Sequence, residues 1–285
     1  MATVWEQISD NVSLVSLPDV YLRLKSVMDD PDSSMGDLAD VVGTDPALTA
    51  RLLRIVNSAY FGLAAEIDTV QRAVNLLGSQ EVHDLVLAVS VAQSFAGMAQ
   101  ETMDVHRYWR RSVTAAVCAR ELARQCNVLD ADRLFVGGLL SDIGHLFLYQ
   151  YAPDKAGQAM ALAETQQVPL FKAERAVLGI DYAQVGGELM RRWKLPQTLW
   201  EPTEMHPEPG RSQTYSLSTS VIHIASIMAM SADREDDLQI ALQSVAASAW
   251  HDTGLSIETC CGIMPEVAQL VGGVVETILP DSAAA

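Results

Sequence analysis

The stretch GGLLSDIGHLFLY, Gly137–Tyr149, has the pattern of a buried helix that carries two ionisable groups. Asp142 and His145 lie three residues apart on this helix, within a single turn. The apolar residues around them recur at the spacing of one helical face, namely Leu139, Leu140, Ile143 and Leu146. Because carboxylates are almost never fully buried unless they are paired or bind a metal, the stretch poses a choice between a metal site and a structural ion pair.

Helical patterns extend over nearly all of the remaining chain. Ser34 with Asp37 forms a capping-box pattern, and the Asp-Pro pair at Asp45 predicts the start of a helix over PALTARLLRIVNSAY, residues 46–60. In DTVQRAVNLLG, apolar spacing predicts a helix that Gly78 ends with a left-handed cap, and another helix follows at once. The residues predicted to face the core are Leu48, Leu52, Ile55, Val56, Val70, Ala73, Val74, Leu77, Val82, Leu85, Val86 and Val89. Since no run alternates polar and apolar residues cleanly, the predicted fold class is all-α.

The helical segments fall into two predicted subdomains. Helical periodicity lapses over Gly97–Val105, which predicts an N-terminal helical bundle to about residue 100 and a second bundle from about residue 104. Glu201–Thr214 is rich in proline and charge, and we predict a loop there. Residues 212–285 are predicted to be C-terminal helices that complete the second bundle.

Composition limits the classes of function. The 285 residues carry 36 acidic and 19 basic side chains, a formal net charge of -17, so nucleic acid and anionic membranes are poor partners. No basic and apolar leader is visible in the N-terminal sequence, and no apolar run is long enough to span a bilayer. The four cysteines form no CxxC pair, which favours reduced thiols. We therefore expect a cytoplasmic protein.

The order of these motifs resembles that of the HDOD domain family, an HD-related group of bacterial signalling output domains. The resemblance rests on DPALTARLLRIVNSAYFG (Asp45–Gly62), on GLLSDIGHL (Gly138–Leu146), and on RRWKLP (Arg191–Pro196). It covers residues 14–211 and implies that the second bundle is like that of the HD phosphohydrolases.

Active HD enzymes hold metal ions with histidines and aspartates from several helices, and the resemblance assigns those positions here. They are occupied by Arg111, Ser141, Asp142, Tyr182, His206 and Ser226. Only Asp142 and His206 keep a residue type that binds metal, and an arginine or a serine is a poor ligand for a divalent ion. The resemblance therefore implies a degenerate site with no catalytic residue, no metal and no cofactor.

Each candidate residue has a functional and a structural interpretation. Asp142 is either a metal ligand or, as we favour, a carboxylate paired with a neighbouring cation. Arg107, Arg110, Arg111 and His145 could contact a phosphate, but internal pairing of the arginines with acidic residues is favoured. We expect His145 on a helix surface or next to the site. His206 is expected in a solvated loop, and His223 is expected to cap or pack within the core.

Three functions remain open. We favour a non-catalytic signalling protein, a stand-alone HDOD module that binds another signalling protein. The first alternative is a sensor that binds a nucleotide or cyclic dinucleotide at the degenerate site without turning it over. The second is an atypical metal-dependent phosphohydrolase built around Asp142, His145, His206 and His223.

One geometric prediction follows from the lost ligands. A buried carboxylate without a partner would cost several kcal/mol or take up a proton. Arg111 stands where the family has its first histidine, so we predict that Arg111 and Asp142 approach within hydrogen-bonding distance and fix the packing of two helices.

Overall fold

The structure is a computed structural model that describes residues 17–95, 103–129 and 131–278. Every regular element within these ranges is a helix, so the predicted all-α fold is confirmed. The described residues form two compact helical units. One contains residues 17–95 and 265–278, and the other contains residues 103–129 and 131–264.

The first unit contains five helices that precede the predicted boundary. They are α1 (Asp19–Asp29), α2 (Met35–Gly43), α3 (Pro46–Val56), α4 (Val70–Leu77) and α5 (Ser79–Ser94). The core-facing residues predicted for α3, α4 and α5 are buried, except that Leu77 is half-buried. Residues 96–102, which include most of the predicted boundary, lie outside the described part of the chain.

The predicted helix starts are confirmed in this unit. The Ser34 hydroxyl accepts a hydrogen bond from the Asp37 amide at 3.3 Å, and the Asp37 carboxylate accepts one from the Ser34 amide at 2.8 Å. The Asp45 carboxylate accepts hydrogen bonds from Ala47 N at 2.9 Å and from Leu48 N at 3.0 Å. These contacts satisfy amides of the first turn that have no partner within the helix.

Two predicted helix ends differ in the structure. The helix over residues 46–60 ends at Val56, and the Asn57 side chain, which bonds both Ile67 N and Ile67 O at 2.7 Å, attaches this helix end to the loop before α4. Gly78 has the positive φ of +93° expected of a glycine cap, but its ψ of 161° is extended rather than left-handed helical. The chain therefore turns directly into α5.

The second unit is longer and contains the GGLLSDIGHLFLY stretch. Its helices are α6 (Val105–Gln125), α7 (Ala131–Leu140), α8 (Ile143–Tyr151), α9 (Pro153–Gln166), α10 (Leu170–Leu178), α11 (Tyr182–Arg192), α12 (Gln197–Met205), α13 (Ser216–Arg234), α14 (Leu238–Ala241), α15 (Ala247–Thr253) and α16 (Ile257–Ile278). Short 3-10 turns lie at Pro209–Arg211 and Leu242–Ser244. The long helix α16 begins in this unit and ends in the first one.

The predicted loop at Glu201–Thr214 is partly wrong, because α12 continues to Met205. Its composition is explained by Glu201, whose carboxylate is buried and accepts hydrogen bonds from the loop that follows. The donors to Glu201 Oε1 are the Ser212 hydroxyl at 2.7 Å and the amides of Gln213, Thr214 and Tyr215 at 3.0, 2.8 and 3.2 Å. The charge and the polar residues thus stabilise a compact helix-to-loop junction.

The four cysteines are free thiols, as predicted. Within the described ranges, no helix is both long enough and apolar enough to cross a bilayer.

Candidate functional site

The GGLLSDIGHLFLY stretch is two helices rather than the predicted single one. Helix α7 ends at Leu140, and Ser141 and Asp142 form a turn before α8 begins at Ile143. The Ser141 hydroxyl donates to the Gly138 carbonyl at 2.8 Å and so satisfies an acceptor at the end of α7. The turn redirects the chain so that the Asp142 side chain, which makes no cap on α8, points toward α6.

Arg111 on α6 and Asp142 form the predicted pair, with 3.0 Å between Arg111 Nη2 and Asp142 Oδ2. The two side chains are only 19% and 13% exposed, and the predicted approach within hydrogen-bonding distance is confirmed. Burial by itself raises the pKa of the Asp142 carboxyl, but the charge and hydrogen bond of Arg111, together with smaller effects of nearby histidines, outweigh burial and bring the net pKa below the ordinary value. Asp142 raises the pKa of Arg111 in turn, against the opposing effect of burial.

Helices α8 and α11 approach closely because Gly144 has no side chain. A Cβ atom at this position would lie 1.9 Å from the Tyr182 carbonyl oxygen, a distance that no contact allows. The close crossing brings the Tyr182 ring over the ring of His145, with 3.9 Å between the centroids and 16° between the planes. Tyr149 stacks at 5.7 Å from the same imidazole.

His145 is buried beside Asp142, so of its two predicted placements the helix surface is wrong and the position next to the site holds. Its ring lies between two carboxylates, with Nε2 at 3.2 Å from Glu174 Oε1 and Nδ1 at 4.0 Å from Asp142 Oδ2. The other oxygen of Glu174 accepts a hydrogen bond from Tyr182 N at 2.9 Å, so Glu174 connects α10, α8 and α11. The sequence interpretation missed Glu174, although its place on the apolar face of α10 with Leu170, Ala173 and Leu178 was a usable signal.

His206 is also buried, at the end of α12, rather than solvated in a loop as predicted. Its Nδ1 lies 2.7 Å from the Thr203 carbonyl, which can only accept, so Nδ1 carries the proton. Nε2 therefore accepts from the Tyr182 hydroxyl, which lies 2.9 Å away. Burial lowers the pKa of His206 and raises that of Tyr182, so both groups are held neutral.

His223 on α13 is buried in the protein core, as predicted. Its Nδ1 donates to the His206 carbonyl at 2.7 Å, and its Nε2 accepts from Ala246 N at 3.1 Å. Burial lowers the pKa of His223 to about 4. This histidine is a structural bridge from α12 to the start of α15.

The remaining candidate residues lie around this cluster. Arg107 Nε donates to Asp233 Oδ1 at 2.8 Å, which matches the internal pairing that the sequence favoured. Arg110 is exposed on the same helix. Ser226 on α13 is half-buried, and its hydroxyl makes no hydrogen bond to any residue that the structure describes.

The side chains do not fit the metal centre of an HD enzyme. The guanidinium of Arg111 contacts Asp142, both ring nitrogens of His206 are bonded to protein atoms, and the Ser141 hydroxyl bonds Gly138. Within the described ranges, no three His, Cys, Asp or Glu side chains are grouped closely enough to hold a metal ion.

Comparison with known proteins places the chain in a family. The model of the HDOD domain matches residues 14–209. An uncharacterized protein of Treponema pallidum (strain Nichols) is 23% identical over 231 residues. That match covers 79% of this chain but only 43% of the relative, so the chain spans less than half of that protein's length.

Solved structures share the fold. An HDOD domain protein of unknown function from Geobacter sulfurreducens has a TM-score of 0.77 at 20% identity, over 96% of this chain and 98% of its own. A protein from Shewanella amazonensis SB2B, provisionally described as a phosphohydrolase, has a TM-score of 0.77 at 23% identity, over 95% and 98% of the two chains.

A third structure, from Marinobacter aquaeolei VT8, is provisionally described as a signal transduction protein. It has a TM-score of 0.73 at 20% identity and covers 98% of this chain and 62% of its own. These likenesses show the HD-like helical fold alone. The family match over residues 14–209 shows more, and it confirms the resemblance found in the sequence: the chain belongs to the HDOD domain family.

Proposed function

We propose that this protein is a non-catalytic regulatory module of bacterial signal transduction that acts by binding another signalling protein. The observation that carries the proposal is the 3.0 Å contact between Arg111 and Asp142. Hydrolysis at an HD-type site needs metal ions to polarise a water molecule, and a guanidinium can neutralise a carboxylate but cannot activate water in that way.

The neighbouring side chains support the same proposal. Tyr182 donates to His206, and Glu174 lies against His145, so these groups contact one another rather than converging on a common point. Such a network stabilises the packing of α8, α10, α11 and α12. The provisional description of the Marinobacter aquaeolei protein supports a role in signalling.

Metal content and hydrolysis test the non-catalytic part of the proposal. The protein and its Asp142→Ala variant are purified without chelator, and their metals are measured by elemental analysis. Both are then assayed with nucleotides and cyclic dinucleotides in the presence of Mn²⁺, Mg²⁺ and Zn²⁺. We expect substoichiometric metal and no metal-dependent turnover in either. A stoichiometric transition metal that is lost in Asp142→Ala, or hydrolysis at ordinary enzyme rates, would overturn the proposal.

Affinity capture from the native cells tests the partner. We expect one bound protein in near-stoichiometric amount, unchanged when chelator is added, because the binding surface does not depend on a metal. The absence of any stoichiometric partner, or its loss on chelation, contradicts the proposal.

A second candidate function is a ligand sensor that recognises a nucleotide or another phosphorylated molecule. It is favoured by Arg111 Nε and by both ring nitrogens of His145, which are buried and make no well-directed hydrogen bond to a described residue. A thermal-shift screen with phosphate, nucleotides and cyclic dinucleotides tests it. A ligand at 100 times its Kd stabilises the folded state by about 2.7 kcal/mol. The shift should be lost in Arg111→Met and kept in Arg107→Met.

A further inference from the structure

The bridge made by His223 uses both nitrogens of its ring in a way that only a neutral imidazole allows. Nδ1 faces the His206 carbonyl at 2.7 Å and must carry a hydrogen. Nε2 faces the amide nitrogen of Ala246 at 3.1 Å and must accept. A proton added to Nε2 would place two N–H groups against each other, and the backbone amide of Ala246, unlike a hydroxyl, cannot turn to accept.

The segment that depends on this bridge is lightly anchored. Ala246 immediately precedes α15 (Ala247–Thr253), which has no side-chain cap at its start and buries only Ala249. Two other contacts hold its far end: the Ser220 hydroxyl donates to Asp252 Oδ2 at 2.8 Å, and Cys126 Sγ lies 3.6 Å from the Thr253 carbonyl. A short helix with few buried contacts is the kind of element that opens locally before the rest of a unit unfolds.

The charged groups on the elements around His223 leave it without a stabilising anion. The His206 ring at the end of α12 lowers the pKa of His223 rather than raising it, and the Asp252 carboxylate on α15 accepts a hydrogen bond from Ser220. His251 on α15 is exposed.

Charged groups on the other helices are paired elsewhere. On α6, Arg107 and Arg111 contact Asp233 and Asp142. Arg120 of α6 contacts Asp132 of α7, and Arg211 in the 3-10 turn contacts Glu208. The short segments Leu238–Ala241 and Leu242–Ser244 carry no charge. Among the described residues, no carboxylate lies within ion-pair distance of the His223 ring to compensate a proton there.

We propose that His223 is an acid-sensitive latch, and that its protonation releases Ala246 and the start of α15 from α13. The latch is independent of the proposed signalling role, because it concerns the attachment of one helix and not the degenerate site.

The direction of the pH dependence follows from burial, which lowers the pKa of His223 from 6.5 to about 4. Once Ala246 and α15 are released, the His223 ring on α13 meets solvent, returns to its ordinary pKa and binds a proton more readily. The contribution of the His223–Ala246 hydrogen bond to holding α15 is therefore fully present above about pH 6.5 and is lost as the pH falls toward 4. Between about pH 7.5 and about pH 5, the opening equilibrium should rise on the order of thirtyfold.

Hydrogen exchange of the intact protein tests the latch. Protection factors, which remove the intrinsic pH dependence of exchange, are measured for peptides that cover residues 245–253 at about pH 7.5 and about pH 5. We expect a fall on the order of thirtyfold in these amides and no comparable fall within α5. Unchanged protection of residues 245–253 would overturn the proposal.

His223→Gln is the matched variant, since a glutamine amide can donate to His206 and accept from Ala246 but does not titrate. It should remove the pH dependence, whereas His251→Gln on α15 should leave it as in the unsubstituted protein. A fall of equal size in His223→Gln contradicts the latch. Should that variant not fold, the ring ¹⁵N shifts of His223 decide: a neutral Nδ1–H ring down to about pH 5 supports the proposal, and a charged ring at pH 6 overturns it.

Discussion

The ring of Tyr182 lies on the ring of His145, with 3.9 Å between their centroids, and the glycine beside His145 makes this contact possible. Gly144 lets the backbone of α11 approach α8 so closely that a Cβ atom would meet the Tyr182 carbonyl oxygen at 1.9 Å. The stack joins α8 to α11 through side chains of the protein alone.

Gly144→Ala should therefore destabilise the second unit by about 3 kcal/mol or more, because neither backbone can move without losing the stack. Urea unfolding measures the change. Gly157→Ala in α9 is the matched control, since a Cβ atom there meets nothing within 4 Å. The control should be neutral or stabilising by up to about 1 kcal/mol, as expected for alanine in a helix. Equal effects at the two positions would contradict the close-approach explanation.

We expect substitutions of Arg111 and Asp142 to be strongly coupled in a double-mutant cycle. Asp142→Leu and Arg111→Met should each cost about 3 kcal/mol, because each leaves a buried charge without its partner, while the double variant should be better tolerated than either. The surface pair Arg107–Asp233 serves as the control, because Arg107 is 59% exposed and coupling there should stay below about 1 kcal/mol. Additive energies for Arg111 and Asp142 would show that they do not interact.

Tyr182→Phe should cost about 1–2 kcal/mol, because it leaves Nε2 of the buried His206 without a donor. The comparison is Tyr149→Phe, because the Tyr149 hydroxyl makes a single contact with the described residues, at 3.7 Å from Met160 Sδ. Tyr149→Phe should change the free energy of unfolding by no more than about 0.5 kcal/mol. Thermal unfolding of both variants provides the measurement, and the idea fails if the two losses are the same.

We expect the Glu201 carboxyl to make the folded state less stable in acid. Burial by itself raises the pKa of its carboxyl, but the hydrogen bonds from Thr214, Ser212, Gln197 and Tyr215 outweigh burial and lower the pKa from 4.5 to about 2. Its stabilising contribution is present above about pH 4.5 and is lost as the pH falls toward 2.

Glu201→Gln should accordingly lower stability at neutral pH by about 1–2 kcal/mol and flatten the pH profile over that range. Unfolding in urea between about pH 3 and about pH 6 tests this, with the exposed Glu258→Gln as the control. An unchanged profile in Glu201→Gln would assign the acid sensitivity to other carboxylates.

The sequence predicted the features that depend on local residue spacing, and also the one contact that depends on neutralising the charge of a single carboxylate. Helical periodicity predicted the fold class, and side chains at Ser34 and Asp45 predicted the helix starts, because caps bond within a few residues. The Arg111–Asp142 contact was also predictable, since the resemblance put both residues in one cavity and a buried carboxylate needs a cation.

The features it did not predict depend on contacts distant in sequence. Glu174 reaches His145 from another helix, and no pattern in GGLLSDIGHLFLY indicates that approach. His206 lies in a sequence rich in proline and charge, and its burial depends on Tyr182, 24 residues earlier in the chain. The turn at Ser141 breaks an otherwise helical pattern because the serine side chain bonds the preceding turn.

The guanidinium opposite Asp142 is part of the polypeptide, so translation supplies it once for every chain. A bound ion would be present only in proportion to its free concentration, and its contribution to folding would rise and fall with that concentration. Charge balance at Asp142 is therefore set when the protein is made. We expect this part of the core to assemble equally well in cells starved of metal and in cells replete with it.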